Sequence, residues 1–147
     1  MRALEEASVV EVVPFTGHPM VLATHERTVE ITTETHLTQK GDCILGVGAS
    51  KGVAQLSPQL KAALKTEGAR VKLTLVAPAG VFSFWASGSK DLVLEDPRDM
   101  VVRKSGFVCA RTLAIRAESG AVDIPREIVR SLKSQGAPGT LRIEVEG

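Results

Sequence analysis

The stretch GDCILGVGASKG, residues 41–52, decides the fold that we predict for this chain. Successive side chains of an extended strand point to opposite faces. One face of such a strand would be wholly apolar and is made of Cys43, Leu45, Val47 and Ala49. The other face is nearly bare at Gly46 and Gly48, and glycine in a strand marks a bend or the close approach of a backbone or ligand. We therefore predict a core strand whose second face either packs tightly against a neighbour or forms a groove floor.

The same stretch matches neither of the common phosphate-binding motifs. It lacks the GK[ST] ending of a P-loop and the GxGxxG spacing of a dinucleotide-binding turn. A short loop follows Gly52 and leads to Ser57 and Pro58, so no helix begins directly after the glycine-rich stretch. We therefore predict neither a P-loop nor a Rossmann fold.

The length and composition indicate one soluble globular domain over residues 1–147. Hydrophobic residues make up 44% of the 147 residues and charged residues 24%, which is ordinary for such a domain. No apolar run approaches the roughly 18 residues that a membrane span needs. Glu5 and Glu6 are also unlike the basic start of a signal peptide. We expect a cytoplasmic protein with no membrane partner.

The charge is nearly balanced overall but unevenly distributed. A net charge of +1 argues against strong general binding of nucleic acid. The charged residues of segment 1–36 are mostly acidic, and those of segment 98–116 are mostly basic. We expect these two segments to meet in the fold or to face different partners, and a homo-oligomer is compatible with the sequence.

Apolar alternation and turn signals predict eight or nine strands and two short helices. One helix would begin at Pro58 after a Ser57 cap, and the other would have Asp123 near its cap and Pro125 in its first turn. Strands follow strands for most of the chain, which excludes a βαβ repeat and favours an antiparallel β-sandwich. No internal repeat is visible.

Two of the predicted strands carry charged side chains on apolar faces. His25 and Arg27 fall on the more apolar face of a strand predicted over residues 21–33, and Arg111 falls among apolar residues in a strand predicted over 107–117. Charged groups in apolar surroundings need partners. We expect each of these residues to be paired or to lie at the end of a sheet.

Several short runs, in the same order along the chain, resemble a known family. They are Gly17-His18-Pro19, Thr24-His25 with Thr28 and Glu30, Leu37-Thr38, residues 41–51, Arg103-Lys104-Ser105 and Arg111-Thr112-Leu113. Over residues 15–132 the chain resembles the archaeal domain of unknown function family 371, with a departure at Ser119-Gly120. The resemblance implies an archaeal, cytoplasmic protein with a jelly-roll-like β-sandwich, and it implies no activity.

Three hypotheses account for the polar residues of these motifs. The first is a site for a small anion that bears a phosphate or carboxylate, because arginine forks suit planar oxyanions. Its residues would be Gly46, Gly48, Ser50, Lys51, Arg103, Lys104, Ser105 and Arg111. The second hypothesis is a metal-assisted hydrolase, because histidine and carboxylate side chains are ligands of zinc and iron. Its ligands would be His18, His25, His36, Glu30 and Asp42.

The third hypothesis is structural. In it Arg27 or Arg111 pairs with Glu30, Asp42 or Glu26 in a partly buried network, and the surface binds another protein or RNA. Aromatic residues for base stacking are scarce, with four Phe, one Trp and no Tyr, so nucleic acid has little support.

The two cysteines, Cys43 and Cys109, lie in apolar runs without metal-binding spacing. We expect buried free thiols, although the sequence does not decide whether they pair. Nucleophile motifs are missing around Ser50, Ser105 and Cys43.

Overall fold

A computed structural model of the chain describes residues 8–37 and 41–147. The first half contains β1 (Val9–Thr16), β2 (Thr28–Thr32), β3 (Ile44–Gly46), α1 (Pro58–Leu64) and β4 (Arg70–Ala77). The second half contains β5 (Gly80–Ser87), β6 (Asp99–Arg103), β7 (Thr112–Ala114), α2 (Arg126–Ser131) and β8 (Pro138–Val145). Glu5, Glu6 and Thr38, which entered the predictions above, lie outside the described residues.

The strands form two four-stranded sheets. The first sheet has the order β1-β8-β4-β5 and is antiparallel throughout. The second has the order β3-β2-β6-β7, in which the central pair β2–β6 is antiparallel and the edge strands β3 and β7 run parallel to their neighbours. The predicted fold class, a mainly β sandwich-like domain with two short helices, is confirmed. The two parallel edge pairs were not predicted.

The apolar face predicted for residues 43–49 is confirmed for Leu45, Val47 and Ala49, which are buried in the core, whereas Cys43 is half-buried. The second face is explained by packing. A Cβ atom on Gly46 would collide with the ring of Phe15, so this glycine lets β1 and β3 approach closely. Gly46 is therefore not the floor of a groove.

The predicted helix starts differ in accuracy. The Ser57 side chain accepts a hydrogen bond from the Leu60 N–H at 3.1 Å, and Pro58 begins α1 as predicted. The second helix begins at Arg126, one residue after Pro125. Asp123 lies in a short 3₁₀ turn before the helix and accepts a hydrogen bond from the Gly120 N–H at 2.9 Å.

Two predicted strands are much shorter than expected. Of residues 21–33 only Thr28–Thr32 form a strand, because Ala23 adopts a left-handed conformation (φ 50°) and the His25 ring closes a turn by accepting the Arg27 N–H. Arg27 directly precedes β2 and its side chain is exposed, so it lies at the end of a sheet, which is one of the two predicted outcomes. Of residues 107–117 only Thr112–Ala114 form a strand, after a turn in which the Thr112 N–H bonds the Cys109 carbonyl.

The two halves of the chain have the same fold, which the sequence did not reveal. Exchanging the halves leaves the strand order of both sheets unchanged. Left-handed residues recur at equivalent positions, Ala23 with Leu94 and Gly48 with Arg116. The bridge between Thr16 and Val47 recurs between Ser87 and Ile115. The sequence hides this repeat because the equivalent backbone contacts are made by residues with different side chains.

Within the described residues, no helix is long and apolar enough to cross a membrane.

Candidate functional site

The centre of the second sheet carries polar side chains on the face away from the core. Glu30 is in register with Val101, and Thr32 with Asp99. Val29 and Ile31, which alternate with Glu30, belong to the hydrophobic core. Because alternate residues of a strand point to opposite faces, Glu30 lies on the outer face of this sheet.

Arg111 reaches two buried carboxylates on this outer face. Its Nη1 atom lies 3.3 Å from Glu30 Oε2 and 3.3 Å from Asp99 Oδ2. Glu30 and Asp99 are each only 6% exposed, whereas 41% of the Arg111 side chain is exposed. The predicted pairing of Arg111 with Glu30 is therefore confirmed, and it joins the acidic early segment to the basic late one. We call Glu30, Asp99, Arg111 and the adjoining Cys43 the Arg111 network.

Burial raises the pKa of two groups in this network, Glu30 and Cys43. Removal from water raises the pKa of Glu30, although the nearby Arg111 charge opposes this effect. The Cys43 Sγ atom lies 3.3 Å from Glu30 Oε1, and burial together with the Glu30 charge raises the pKa of the Cys43 thiol to about 12. Cys43 is therefore a neutral hydrogen-bond donor at ordinary pH.

Arg103 lies on the same sheet with a different set of partners. Its Nε donates to Thr112 Oγ1 at 3.1 Å and its Nη2 to Cys109 Sγ at 3.4 Å. Its Cζ atom is 4.9 Å from the centroid of the Phe107 ring, which is 59% exposed. Among residues 8–37 and 41–147, no carboxylate forms an ion pair with Arg103. We call Arg103, Phe107, Cys109 and Thr112 the Arg103 corner.

The Cys109 thiol in this corner is much more acidic than Cys43. Burial alone would raise its pKa, but hydrogen bonds from Thr112, from the Arg111 backbone and from Arg103 lower it to about 7. Both cysteines are free and half-buried, so the prediction of free thiols is confirmed and that of full burial is wrong. The two thiols thus differ in acidity because Cys109 accepts a hydrogen bond from Arg103, whereas Cys43 donates one to the Glu30 carboxylate.

The glycine-rich part of the predicted anion site is occupied by other contacts. Lys51 Nζ lies 2.5 Å from Glu11 Oε2 in β1, and the other Glu11 oxygen accepts the Ser57 N–H at 3.0 Å. Burial would raise the pKa of Glu11, but the hydrogen bonds from Lys51 and Ser57 lower it. Ser50 is exposed and donates its backbone N–H to Pro14. None of the described hydrogen bonds or ion pairs joins this segment to Arg103 or Arg111.

Two further residues of the predicted anion site have structural partners. Lys104 Nζ lies 3.3 Å from Asp123 Oδ2, and the backbone N–H of Gly120 together with Lys104 lowers the pKa of Asp123. The Ser105 hydroxyl accepts the Phe107 N–H at 3.2 Å and so shapes the loop after β6.

The five predicted metal ligands are not brought together. His18 and His25 each use Nδ1 to accept a backbone N–H, from Met20 at 3.0 Å and from Arg27 at 3.1 Å. At the equivalent turns of the second half, the side-chain oxygens of Ser89 and Asp96 accept a backbone N–H instead. His36 is exposed, and Glu30 is engaged by Arg111 and Cys43. In the described part of the chain, no three His, Cys, Asp or Glu side chains form a group that could hold a metal ion, so Asp42 gains no metal-binding partners either.

Sequence reasoning missed Asp99, Phe107, Cys109 and Thr112 as members of the site. Thr112 stands beside Arg111 in a motif that the family resemblance had already singled out. The role of Asp99 depends on the register between β2 and β6, which no local pattern gives.

Together these features define a class of protein: a two-sheet β domain made of two similar halves, with buried charges on the outer face of one sheet. The sequence model of the family described as Domain of unknown function (DUF371) matches residues 13–146, and the chain belongs to that family. An uncharacterized protein of the archaeon Methanocaldococcus jannaschii is 43% identical over 118 residues. That match covers 80% of this chain and 86% of the relative. The family resemblance found in the motifs is confirmed.

Proposed function

We propose that the protein binds a small anion, bearing a phosphate or carboxylate group, at the Arg103 corner. The observation that carries this proposal is the environment of the Arg103 guanidinium. A hydroxyl, a thiol and an aromatic ring contact it, and no described carboxylate forms an ion pair with it. The glycine-rich segment 46–51 of the sequence-based site does not belong to the proposed site.

The other cations of the sequence-based site support this choice by contrast. Lys51, Lys104 and Arg111 each lie within ion-pair distance of at least one carboxylate. Arg103 alone among these four has no such partner in the described chain. A guanidinium that is already held in place loses little side-chain freedom on binding, and its bonds to an oxyanion are roughly twice as strong as neutral ones.

Arg111 can contribute from the neighbouring network. Only its Nη1 atom contacts the two carboxylates, and 41% of its side chain is exposed. Its remaining N–H groups therefore add donors near the corner, while the shared contact with Glu30 and Asp99 supports the structural hypothesis for the same residue.

The Cys109 thiolate predicts how a bound anion would be detected. Near pH 7 the Cys109 thiol is partly ionised, because hydrogen-bond donors that include Arg103 stabilise the thiolate and lower its pKa to about 7. An anion that takes up the Arg103 guanidinium competes with the thiolate for the same positive charge. Binding should therefore raise the pKa of Cys109 and slow its alkylation.

The experiment measures the rate at which iodoacetamide alkylates Cys109 near pH 7, with the labelled peptide identified by mass spectrometry. Inorganic phosphate, sulfate, acetate and a dicarboxylate are titrated at an ionic strength held constant with potassium chloride. We expect at least one anion to slow the reaction saturably in the wild-type protein and in Arg142→Gln, a matched control on the other sheet. Arg103→Gln should lose this response.

The proposal fails if no anion of the panel changes either the alkylation rate or the melting temperature beyond the effect of chloride. It also fails if Arg103→Gln responds to the anions as the wild type does. A metal-assisted hydrolase has no supporting observation among the described residues.

A further inference from the structure

A second group of charged residues lies where an edge of one sheet meets an edge of the other. β5 is an edge strand of the first sheet and β7 an edge strand of the second. Ser87 and Ile115 join them through two backbone hydrogen bonds of 2.7 and 2.9 Å. Beside this junction is an open cavity of about 130 Å³, which we call the Trp85 pocket. It is lined by Arg70, Trp85, Ala86, Ser87, Arg116 and Glu118.

Arg70 is held against the tryptophan ring. Its Cζ atom lies 4.3 Å from the centroid of the Trp85 ring, a distance typical of a cation–π contact. Its Nε atom is 2.9 Å from Glu146 Oε1, so the ion pair and the ring fix the guanidinium from two sides. The two Nη groups have no hydrogen-bond partner among the residues the structure describes.

Arg116 has a backbone conformation that its residue type disfavours. Its φ of 52° is left-handed, where a Cβ atom crowds the following carbonyl, and such strain persists mainly where the surroundings or a function require it. Its guanidinium lies over Gly106, where a Cβ atom would come within 3.0 Å of Arg116 Nη2. Over the described ranges, the Arg116 side chain forms no ion pair.

The first half of the chain shows that the fold does not need these side chains. The Gly48 N–H donates to Glu34 and the Ser50 N–H to Pro14, and the same two bonds recur from Arg116 to Ser105 and from Glu118 to Trp85. The backbone is therefore equivalent in both halves. Yet Pro14, Gly48 and Ser50 of the first half stand where the second half has Trp85, Arg116 and Glu118, and Pro138 of the second half stands where the first half has Arg70.

The Gly48 position is the most informative of these, because its φ of 59° suits glycine. The second half keeps the same conformation with an arginine that gains no described partner for its charge. Neither the fold nor an ion pair with another described residue accounts for Arg116.

From these observations we infer that the Trp85 pocket binds the phosphate group of a small phosphate monoester. Two guanidiniums line one cavity, and the one carboxylate among its described lining residues, Glu118, accepts the backbone N–H of Trp85 through Oε1 at 3.0 Å. A carboxylate has two oxygens and is satisfied by a single arginine fork, whereas a phosphate monoester has three terminal oxygens and can serve two. This site shares no residue with the Arg103 corner and does not depend on the function proposed there.

Trp85 is the one tryptophan of the chain, so its fluorescence reports on this pocket directly. Inorganic phosphate and glycerol phosphate are titrated against potassium chloride of equal ionic strength, with dimethyl phosphate as a diester that has only two terminal oxygens. We expect a saturable change in Trp85 emission with phosphate and the monoester, and a response at least about tenfold weaker with the diester.

The variant Arg116→Gly tests the inference without endangering the fold, because glycine occupies the equivalent position in the first half. We expect its affinity for phosphate to fall at least about tenfold while its melting temperature stays equal or rises. Arg142→Gln should bind as the wild type does. Arg103→Gln should keep the Trp85 response, which separates this site from the Arg103 corner.

Two results would overturn the inference. One is a Trp85 emission that phosphate changes no more than chloride does. The other is an Arg116→Gly variant that binds phosphate as tightly as the wild type, which would leave Arg116 as a charge that only protects the sheet edge.

Discussion

The two halves of this chain share a backbone but use different side chains, and this contrast separates what the fold needs from what remains to be explained. Where the halves agree, as in the turns closed by His25 and Asp96, the residues serve the fold. Where they differ, as at Gly48 and Arg116, the fold tolerates either choice. The Arg111 network also depends on such a difference, because the position that Glu30 occupies in the first half is occupied by Val101 in the second. These two equivalent residues pair with each other across β2 and β6.

The largest expected effect is shared by both halves. A Cβ atom on Gly52 would collide with the backbone at Pro97, and one on Gly120 with the backbone at Glu26. Gly52→Ala and Gly120→Ala should each lower the free energy of unfolding by about 3 kcal/mol, because backbone cannot move aside cheaply. Urea denaturation measures both.

Gly106→Ala is the control for these variants, since its Cβ atom would meet only the flexible end of the Arg116 side chain. If either Gly52 or Gly120 tolerated alanine as well as Gly106 does, the two equivalent glycines would not make the same contribution to stability, which would contradict this prediction.

The second effect belongs to the Arg111 network alone. Arg111→Met leaves two buried carboxylates without their shared cation. We expect the free energy of unfolding to fall by about 2 kcal/mol, less than for a fully buried pair because the arginine is partly exposed. Chemical denaturation of Arg142→Met gives the matched value for an exposed arginine. A stability equal to wild type would mean that Arg111 is kept for a ligand rather than for the fold.

A smaller effect should have opposite signs at two equivalent positions. Arg116→Gly relieves left-handed strain and should stabilise the protein by about 1 kcal/mol, whereas Gly48→Ala introduces that strain and should destabilise it by a similar amount. Differential scanning calorimetry of both variants checks the signs. Destabilisation by Arg116→Gly would show that the arginine supports the folded state.

The smallest effect is a dependence on pH. Burial raises the pKa of Glu30, so the folded protein holds this proton more tightly than the unfolded chain. The resulting stabilisation is complete below the ordinary glutamate pKa of about 4.3 and is lost as the pH rises through the raised value. Relative to Glu30→Gln, which cannot titrate, the wild type should lose stability as the pH rises above the ordinary glutamate pKa of about 4.3. Parallel pH dependences for the two proteins would contradict this.

The sequence predicted the architecture better than the site. Apolar alternation located the core face of residues 45–49, and the unexpected charge at Arg111 correctly indicated an ionic partner. It could not show that Val21–Arg27 turns instead of extending, because the alternation continues through a left-handed Ala23. The repeat also escaped notice, since equivalent positions share backbone contacts while their side chains have diverged.

Of the residues in the Arg103 corner, the sequence analysis named only Arg103 as a site residue. Arg103 was a candidate from its motif, but its partners Cys109 and Thr112 depend on the parallel pairing of β6 with β7. That pairing was not expected in a sheet predicted to be antiparallel.

The central claim is that the Arg103 guanidinium forms no ion pair with a described carboxylate, contacts the Cys109 thiol and can bind an anion. The pH profile of Cys109 alkylation tests this claim most directly. In the wild type the rate should reach half its maximum near pH 7, because the pKa of Cys109 is about 7. In Arg103→Gln, or with a saturating anion, the midpoint should move upward toward the ordinary thiol value of about 8.5. A wild-type midpoint already at that ordinary value, or one that Arg103→Gln leaves unchanged, would contradict the account.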